Sequence, residues 1–403
     1  MSFRPYRGLP ARSGAGASCL RAVAILLAAT GTSFAAADAP ADTSAVPAPP
    51  SVEEPAEPAE SPFAVDVFPP EVRTLGVIWV PDGGYDDEDG IGLGVNALVP
   101  FDLGSRSAAR LSEVEAEVVF TTKGHKELRL TTTLNWRDHT VRGRADYEDL
   151  VQRFWGVGPT NPGEEETYRP RNVLVYAEYL RLMRGDLRLG IRAEWNSWEL
   201  ISFAEDEGEF ASGAVPGQDE SLATGFGFLL DWDTRPRRYQ PTRGHWLQGF
   251  SLYFSEALGG DQTFTLYNLE WRGYHAVGGR HVVASQLFTY TATGSPPFWR
   301  MAELGGRHHS RGFRRGRYRD RTMVAGQFEW RYPLRGAFGG VAFAGLAAVG
   351  ADYGDIGWRY VRPTLGAGLR YVIGRGDELV PLRVDAAFSK YGMRLSLGIG
   401  DAF

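Results

Sequence analysis

The sequence predicts an all-β fold: a transmembrane antiparallel β-barrel of about sixteen strands. Apolar and polar residues alternate through many stretches of about ten residues, as expected for strands with one apolar and one polar face. In the last strand, for example, Met393, Leu395 and Leu397 share one face. No stretch beyond the N-terminal region is long and apolar enough to form a membrane-spanning helix.

The N-terminus is predicted to be a signal peptide covering residues 1–37. Several arginines precede a short apolar core at 22–29, and small residues follow it, as in secretory leaders. The core is too short to cross a bilayer, and Cys19 precedes it, which argues against a lipid anchor. The Pro-, Ala- and Glu-rich segment 38–72 is predicted to be a disordered linker. Residues 73–403 then form the predicted barrel domain.

Composition excludes several classes of protein. Cys19 is the one cysteine of the sequence, so the exported part is expected to contain neither disulfides nor thiol chemistry. The formal net charge of −6 becomes more negative when the arginines of the signal peptide are removed, which argues against a nucleic-acid binder. The 50 glycines suit tight turns and close packing along a lumen.

The predicted strands can be sorted into faces. Val118 and Phe120 share one face of a strand, and Glu115 and Glu117 share the other. A charge that faces lipid costs roughly 2–4 kcal/mol at the bilayer midplane, so the charged faces are expected to line the lumen. A soluble β-sandwich with one solvated face is the alternative, but it explains neither the number of strands nor the final aromatic residue, Phe403.

The order of strands and loops predicts the orientation of the barrel. Strands are predicted to begin near residues 74, 90, 112, 127, 138, 172, 186, 223, 245, 263, 280, 323, 340, 364, 380 and 393. The longest connections follow odd-numbered strands, at about 147–171, 198–222, 292–322 and 351–362. Two connections after even-numbered strands, near 99–111 and 233–244, are longer than expected. Most of the others are short. Outer-membrane barrels have long external loops and short periplasmic turns.

The end of the chain supports an outer-membrane location. Phe403 is predicted to close the last strand, and this ending resembles the C-terminal recognition signal of bacterial outer-membrane proteins. The expected location is therefore the outer membrane of a Gram-negative cell, reached by export through the signal peptide. Outer-membrane lipid and lipopolysaccharide are the surroundings that such a barrel would contact.

A glycine- and arginine-rich motif lies in the longest late loop. Leu304-Gly305-Gly306 is followed by Arg311-Gly312-Phe313. This loop resembles that of the BamA/TamA outer-membrane assembly superfamily, the bacterial surface antigen barrels. There, leucine-glycine-glycine is followed by arginine-glycine-phenylalanine or -tyrosine, between strands 11 and 12. The strand count places the loop at the same position in this chain, and the resemblance implies that the loop between strands 11 and 12 is inserted into the lumen.

Two further motifs extend the resemblance over roughly residues 230–403. The turn motif consists of Asp233, Arg235, Pro241 and Gly244, and is similar to the family's aspartate-x-arginine and proline-threonine-x-glycine turn. The third motif is the ending, which consists of the segments 366–370 and 381–385, the second of which ends in Asp385, followed by the glycine-rich last strand and Phe403.

The resemblance implies a specific role for Arg311. In the family this arginine enters the lumen and pairs with one acid on strand 12 and another on strand 13. Glu329 matches the first acid. Gly345 stands where the second is expected, so Arg311 is predicted to have a single carboxylate partner. An unpaired charge away from water is costly, although a bidentate contact with Glu329 would compensate in part.

The resemblance also implies a function. Members of the family insert or translocate proteins, or move lipid, through a barrel whose first and last strands pair weakly. Relatives carry periplasmic POTRA modules before the barrel, but only about 36 residues separate the predicted cleavage site from the first strand here, so no such module is expected. Expected partners are unfolded outer-membrane protein clients or a separate periplasmic subunit. No enzymatic activity, nucleotide, metal or other cofactor is implied.

Two other roles stay open: a passive, porin-like channel that kept the fold, and a surface-exposed structural antigen that acts through its long loops. A Ser/His/acid hydrolase is disfavoured, because no predicted strand presents a serine and a histidine at a suitable spacing.

Three polar clusters have a functional and a structural interpretation. The arginines within 307–321 could bind lipopolysaccharide phosphates or nucleic acid, but an inserted loop neutralised by the lumenal acids of Glu113–Glu117 is preferred. The acidic stretch Asp82–Asp89 lacks the spacing of an EF-hand and is expected to be a solvated loop. His308-His309 could bind a metal, but adjacent residues of an extended chain point in opposite directions, so they are expected to be polar loop residues.

Overall fold

The computed structural model describes residues 4–5, 73–74, 76–86, 90–104, 111–160, 164–204, 207–237, 240–306, 308–373, 380–399 and 402–403. The predicted signal peptide and linker lie outside these residues, apart from Arg4–Pro5, which pairs with Ser202 and Phe203. Arg73–Thr74 pairs with Asp102 and Phe101. No helix in the described part of the chain is long and apolar enough to cross a membrane.

Sixteen long strands account for most of the described residues. They are β1 Ile78–Asp86, β2 Gly90–Asp102, β3 Ser112–Thr121, β4 Lys126–Trp136, β5 His139–Asp149, β6 Glu166–Arg184, β7 Leu187–Phe203, β8 Ser221–Asp233, β9 Gly244–Phe254, β10 Phe264–Ala276, β11 Val282–Gly294, β12 Thr322–Pro333, β13 Phe338–Gly350, β14 Arg362–Ile373, β15 Val380–Ser389 and β16 Gly392–Ile399.

Each of these strands pairs antiparallel with the next one along the chain, from β1 to β16. Cα atoms of β16 come within 8 Å of Cα atoms of β1. The predicted fold, an antiparallel β-barrel of about sixteen strands, is thereby confirmed.

Burial alternates along the strands as the sequence predicts. Glu329 of β12 is 0% exposed, whereas Phe328 and Trp330 on either side of it are 47% and 44% exposed. Aliphatic and aromatic side chains thus cover the outer surface, and charged side chains line the lumen. This arrangement fits a barrel surrounded by lipid, where only the outward residues meet the hydrocarbon.

The long connections confirm the predicted order of loops and turns. Residues 150–165, 204–220, 295–321 and 351–361 follow β5, β7, β11 and β13. They contain a short strand, Gln152–Phe154, a helix, Glu209–Ser212, 3-10 helices at Phe298–Arg300 and Trp358–Tyr360, and a small hairpin of Ala302–Leu304 with Tyr318–Asp320. Another 3-10 helix, Glu256–Leu258, follows β9. The turn after β6 consists of Gly185 and Asp186, with Gly185 at φ +59°.

Three of these loops pack together at the external end of the barrel. Phe154, Phe210 and Phe298, one from each loop, form a buried cluster with Tyr168 and Trp198 at the ends of β6 and β7. Their rings meet edge-on or stacked, with centroids 4.7–5.8 Å apart. We call this group the aromatic cap. It covers one side of the external mouth with apolar side chains.

Two predicted boundaries, in the first hairpin and at the end of the last strand, are wrong. The acidic stretch was expected to be a loop, but Asp82–Asp86 continues β1 and pairs with Gly90–Gly94, because backbone pairing in the hairpin extends to its tip; residues 87–89 lie outside the described residues. The last strand was expected to run to Phe403, but β16 ends at Ile399.

Candidate functional site: a loop docked inside the barrel

The connection 295–321 between β11 and β12, called the lid below, folds back into the barrel. Its small hairpin pairs Leu304 with Tyr318. This pairing holds together the two ends of the tip, residues 305–317. Gly305 has φ +117°, and a Cβ atom there would lie 1.9 Å from the carbonyl oxygen of Arg314. Only glycine fits this close approach, which explains the glycine pair of the motif.

Phe313 fastens the lid to the inner wall. Its ring is buried in an apolar cluster with Leu304 and Tyr318 of the lid, Met323 of β12 and Ala347 of β13. The backbone oxygen of Phe313 also accepts a hydrogen bond from the N–H of Gly306 at 3.0 Å. Burial of an aromatic ring stabilises the docked lid by roughly 1.5–3 kcal/mol.

Arg311 lies at the centre of the site, 3% exposed. Its Nη2 atom is 2.9 Å from Oε2 of Glu329, so the predicted contact is present. Its Nη1 atom donates to Oδ2 of Asp385 on β15 at 2.9 Å. The expectation of a single carboxylate partner is therefore wrong. The guanidinium also lies over the ring of Phe343, with Cζ 3.5 Å from the centroid, a cation–π contact.

The inner surface of β14 explains how Asp385 reaches Arg311. Gly368 lies opposite Asp385, and a Cβ atom at 368 would be 2.0 Å from the carboxylate. Gly366 lies opposite Phe343, and a Cβ atom there would be 2.4 Å from the ring. The two glycines therefore make room for the Phe343 ring and the Asp385 carboxylate. The second acid thus lies on β15, and not at Gly345 of β13, where the resemblance places it.

Four arginines surround the two carboxylates. Besides Arg311, Glu329 pairs with Arg331 at 2.8 Å, and Asp385 pairs with Arg370 at 2.6 Å. Nη1 of Arg383 lies 3.6 Å from Asp385. Each carboxylate thus has at least two cationic neighbours in the low-dielectric wall, where an unpaired charge would be costly.

The rim of the lid packs on the turn between β15 and β16. The Ser389 hydroxyl donates to the carbonyl oxygen of Gly312 at 2.7 Å. The hydroxyl oxygens of Tyr318 and Tyr391 are 3.0 Å apart, and the Tyr391 ring also meets Phe313 edge-on. Ser389 and Tyr391 were not singled out from the sequence, and Asp385 was part of the third motif but was not assigned to Arg311.

Two other arginines of the lid, Arg315 and Arg319, pair with an acid that was not predicted. Arg315 and Arg319 both pair with Glu303 of the lid, at 2.7 and 2.5 Å. On the wall, Glu115 accepts a hydrogen bond from Asn96 at 2.6 Å, and Glu117 pairs with Arg129 at 2.6 Å. Glu303 is the nearer acid because the small hairpin places it beside both arginines; Arg307 lies outside the described residues.

The two histidines of the lid face different walls. The ring of His309 lies against that of Phe288, with centroids 3.9 Å apart. Nδ1 of His308 is 3.2 Å from the backbone oxygen of Ala402. Among the described residues, no group of three or more His, Cys, Asp or Glu side chains is arranged to hold a metal ion.

Phe403 turns into the lumen rather than extending β16. Its ring is buried with Tyr274, Val282 and Ala284 on the inner face of β10 and β11. Its backbone oxygen accepts a hydrogen bond from Nη2 of Arg331 at 2.9 Å. The apolar pocket and the arginine together explain why the final residues leave the line of the strand.

The turn motif joins β8 to β9. Arg235 donates from Nε and Nη2 to the two carboxylate oxygens of Asp233, at 2.8 and 3.0 Å, a bidentate pair. Gly244 has φ +96°, and a Cβ atom there would be 2.7 Å from the carbonyl oxygen of Thr234. Pro241 is buried. The motif therefore fixes the shape of this turn, far along the sheet from Arg311.

Comparisons with known proteins agree with the geometry. A sequence model of the Omp85 superfamily domain matches residues 85–403. The fold is similar to BamA from Haemophilus ducreyi lacking POTRA domains 1–3, with 15% identity, a TM-score of 0.53, and 81% of this chain and 69% of that chain covered. It is also similar to CdiB from Acinetobacter baumannii, with 11% identity, a TM-score of 0.50, and 80% and 59% covered. The chain thus spans under two thirds of that CdiB. No curated protein matches the chain.

Proposed function

Because the chain belongs to the Omp85 superfamily, we propose that it is an outer-membrane barrel that inserts or translocates polypeptides, with the lid as its resting closure. Export by the signal peptide at residues 1–37 is part of this proposal. The proposed partners are unfolded outer-membrane protein clients, the surrounding lipid and lipopolysaccharide, and a separately encoded periplasmic subunit.

The observation that carries the proposal is the burial of Arg311 between Glu329 and Asp385. Removal of a guanidinium from water costs several kcal/mol unless it is paired. A loop held in this way occupies the lumen until something displaces it. Such a closure suits a barrel that opens only for a client, and has no purpose in a permanently open pore.

The proposed role is non-enzymatic. An incoming strand has unpaired backbone N–H and C=O groups, and these are costly within a membrane. The edges of β1 and β16 can supply the missing hydrogen bonds. Client folding itself would then provide the free energy for insertion, without a nucleotide.

Deletion of the gene, followed by quantitative profiling of outer-membrane proteins, tests this proposal. We expect a defined set of barrel or secreted proteins to decrease and to recover when the wild-type gene is returned. Complementation with an Arg315→Gln variant should also restore the profile, because Arg315 pairs within the lid. An unchanged profile after deletion would contradict an assembly role.

A passive channel is the second candidate, favoured by the charged lumenal wall. Arg129 of β4 pairs with Glu117 and Glu127 at 2.6 Å and with Asp146 at 3.0 Å, so this wall is ionic and suits water-filled space. Single-channel recording of the purified protein in planar bilayers separates the two candidates. A stable, large conductance of the wild-type protein would favour the channel.

A further inference from the structure

The lid contacts the last strand pair at two levels. In the middle of the barrel Arg311 binds Asp385 of β15. At the rim Ser389 donates to the carbonyl oxygen of Gly312. From these contacts we infer that the lid is a latch for the β15–β16 hairpin, so that undocking of the lid and displacement of the hairpin are one coupled transition.

The relocated acid is the reason for this coupling. An acid at residue 345 would fasten the lid to β13, which pairs with neighbours on both sides. Asp385 lies instead on the last hairpin, opposite Gly368 of β14 and Ser396 of β16. The hairpin is the part of the sheet that ends the ladder, so it is the part most easily displaced. Motion of Arg311 is thereby transmitted to the hairpin.

The rim contacts strengthen the same link. A Cβ atom at Gly312 would lie 3.0 Å from the carbonyl oxygen of Phe388 and 3.2 Å from Cβ of Ser389, so the two backbones are in close contact. Tyr391 in the turn meets Tyr318 and Phe313 of the lid. The lid and the hairpin therefore share a packed interface as well as an ion pair.

The charges make the latch reversible. When Arg311 leaves, Asp385 still pairs with Arg370, and Glu329 still pairs with Arg331. Undocking thus leaves neither carboxylate of the wall without a cationic partner. An uncompensated buried charge is what makes the breaking of a buried pair costly. The inferred latch rests on the proposed function in one respect: it describes how the insertion activity would be regulated. Its physical basis is these contacts alone, so it can be tested without a client.

A disulfide across the rim tests the inference. Gly312→Cys with Ser389→Cys places two Cβ atoms at a separation close to that of a disulfide, and the exported part of the chain contains no other cysteine. Hydrogen–deuterium exchange of the purified barrel in nanodiscs is measured in peptides from the lid and from β15–β16. We expect oxidation to slow exchange in both segments by at least about threefold, and reduction to reverse this.

The complementary variant releases the latch. Arg311→Gln should speed exchange by about tenfold in the lid and in β15–β16, and leave β8–β10 unchanged. Arg315→Gln is the matched control, because its partner Glu303 belongs to the lid, and it should leave β15–β16 at the wild-type rate. The folded state of each variant is checked by the shift of its band on unheated gels.

The outcomes are distinct. If Arg311→Gln exposes the lid but neither variant alters exchange in β15–β16, the latch is disproved, whatever the protein does to clients. If exchange follows the prediction while deletion of the gene changes no outer-membrane protein, the latch stands and the proposed function fails.

Discussion

Gly368 is the residue at which a single methyl group should disturb the site most. Gly368→Ala would place a Cβ atom 2.0 Å from the Asp385 carboxylate, which must then move away from Arg311. We expect the free energy of unfolding to fall by about 1–3 kcal/mol, measured by urea titration in detergent. Gly357→Ala, where no atom lies within 4 Å, is the control and should change little. Equal stability of both variants would show that the carboxylate has room to spare.

His309 predicts a pH dependence of lid docking. Burial lowers its pKa to about 4, while the nearby Glu270 and Arg272 act in opposite directions. In an undocked, solvated lid the imidazole would have its ordinary pKa of about 6.5. Because the docked pKa is the lower one, docking is fully favoured above about pH 6.5 and is weakened as the pH falls toward 4.

Hydrogen–deuterium exchange in the lid, corrected for the intrinsic effect of pH, measures this dependence. Exchange should rise as the pH falls from about 6.5 to 4. Because burial also lowers the pKa of His308, to about 3, His309→Asn should remove part of the rise and His308→Asn combined with His309→Asn should remove most of it. A lid equally protected at both pH values would mean that His309 is solvated when docked.

Of the two carboxylate partners of Arg311, Glu329 could be predicted from the sequence and Asp385 could not. Glu329 was found because the family resemblance places an acid on strand 12, and Glu329 lies on the inward face of that strand. Asp385 has the same inward placement, but its contact with Arg311 depends on how strands β12 and β15 curve around the lumen. That distance is a property of the closed sheet, and no local pattern of residues reports it.

At the scale of elements, the strands were predictable because lipid and lumen impose a period of two on every one of them. The start of β6 was predicted too late. Residues before the predicted start also pair: Tyr168–Arg171 with β7, and Glu166–Thr167 with the short strand Gln152–Phe154. The prediction for the end of β16 was wrong for another reason. Phe403 alternates correctly for a strand, yet a pocket formed by β10 and β11 binds it more favourably.

That pocket supports a prediction for the C-terminal segment. Phe403→Ala would leave a cavity between Tyr274, Val282 and Ala284, and we expect a loss of about 3 kcal/mol in the free energy of unfolding. Trp358→Ala is a suitable control, since that ring is 89% exposed and its removal should cost under about 0.5 kcal/mol. If both variants unfold at the same urea concentration, Phe403 is not held in the pocket in solution.

In the whole molecule, two structures stand between the lumen and the exterior. The lid fills the middle of the barrel through Arg311 and Phe313, and the aromatic cap covers one side of the external mouth. The two overlap at Phe298, which belongs to the lid connection and to the cap, and Nη1 of Arg319 donates to the carbonyl oxygen of Phe298 at 3.1 Å. Release of the lid at its tip therefore leaves the cap in place.

This separation predicts how conductance should change. Arg311→Ala frees the tip of the lid but preserves the Arg319 contact, so brief, small openings are expected in planar bilayers, above a wild-type trace that is largely closed. Arg311→Ala combined with Phe298→Ala removes an anchor of each structure and should give longer and larger openings. Phe298→Ala alone should resemble the wild type, since the lid still fills the lumen. If Phe298→Ala alone opened the barrel as widely as the double variant, the cap would be the sole closure, and Arg311 would serve only to position the lid.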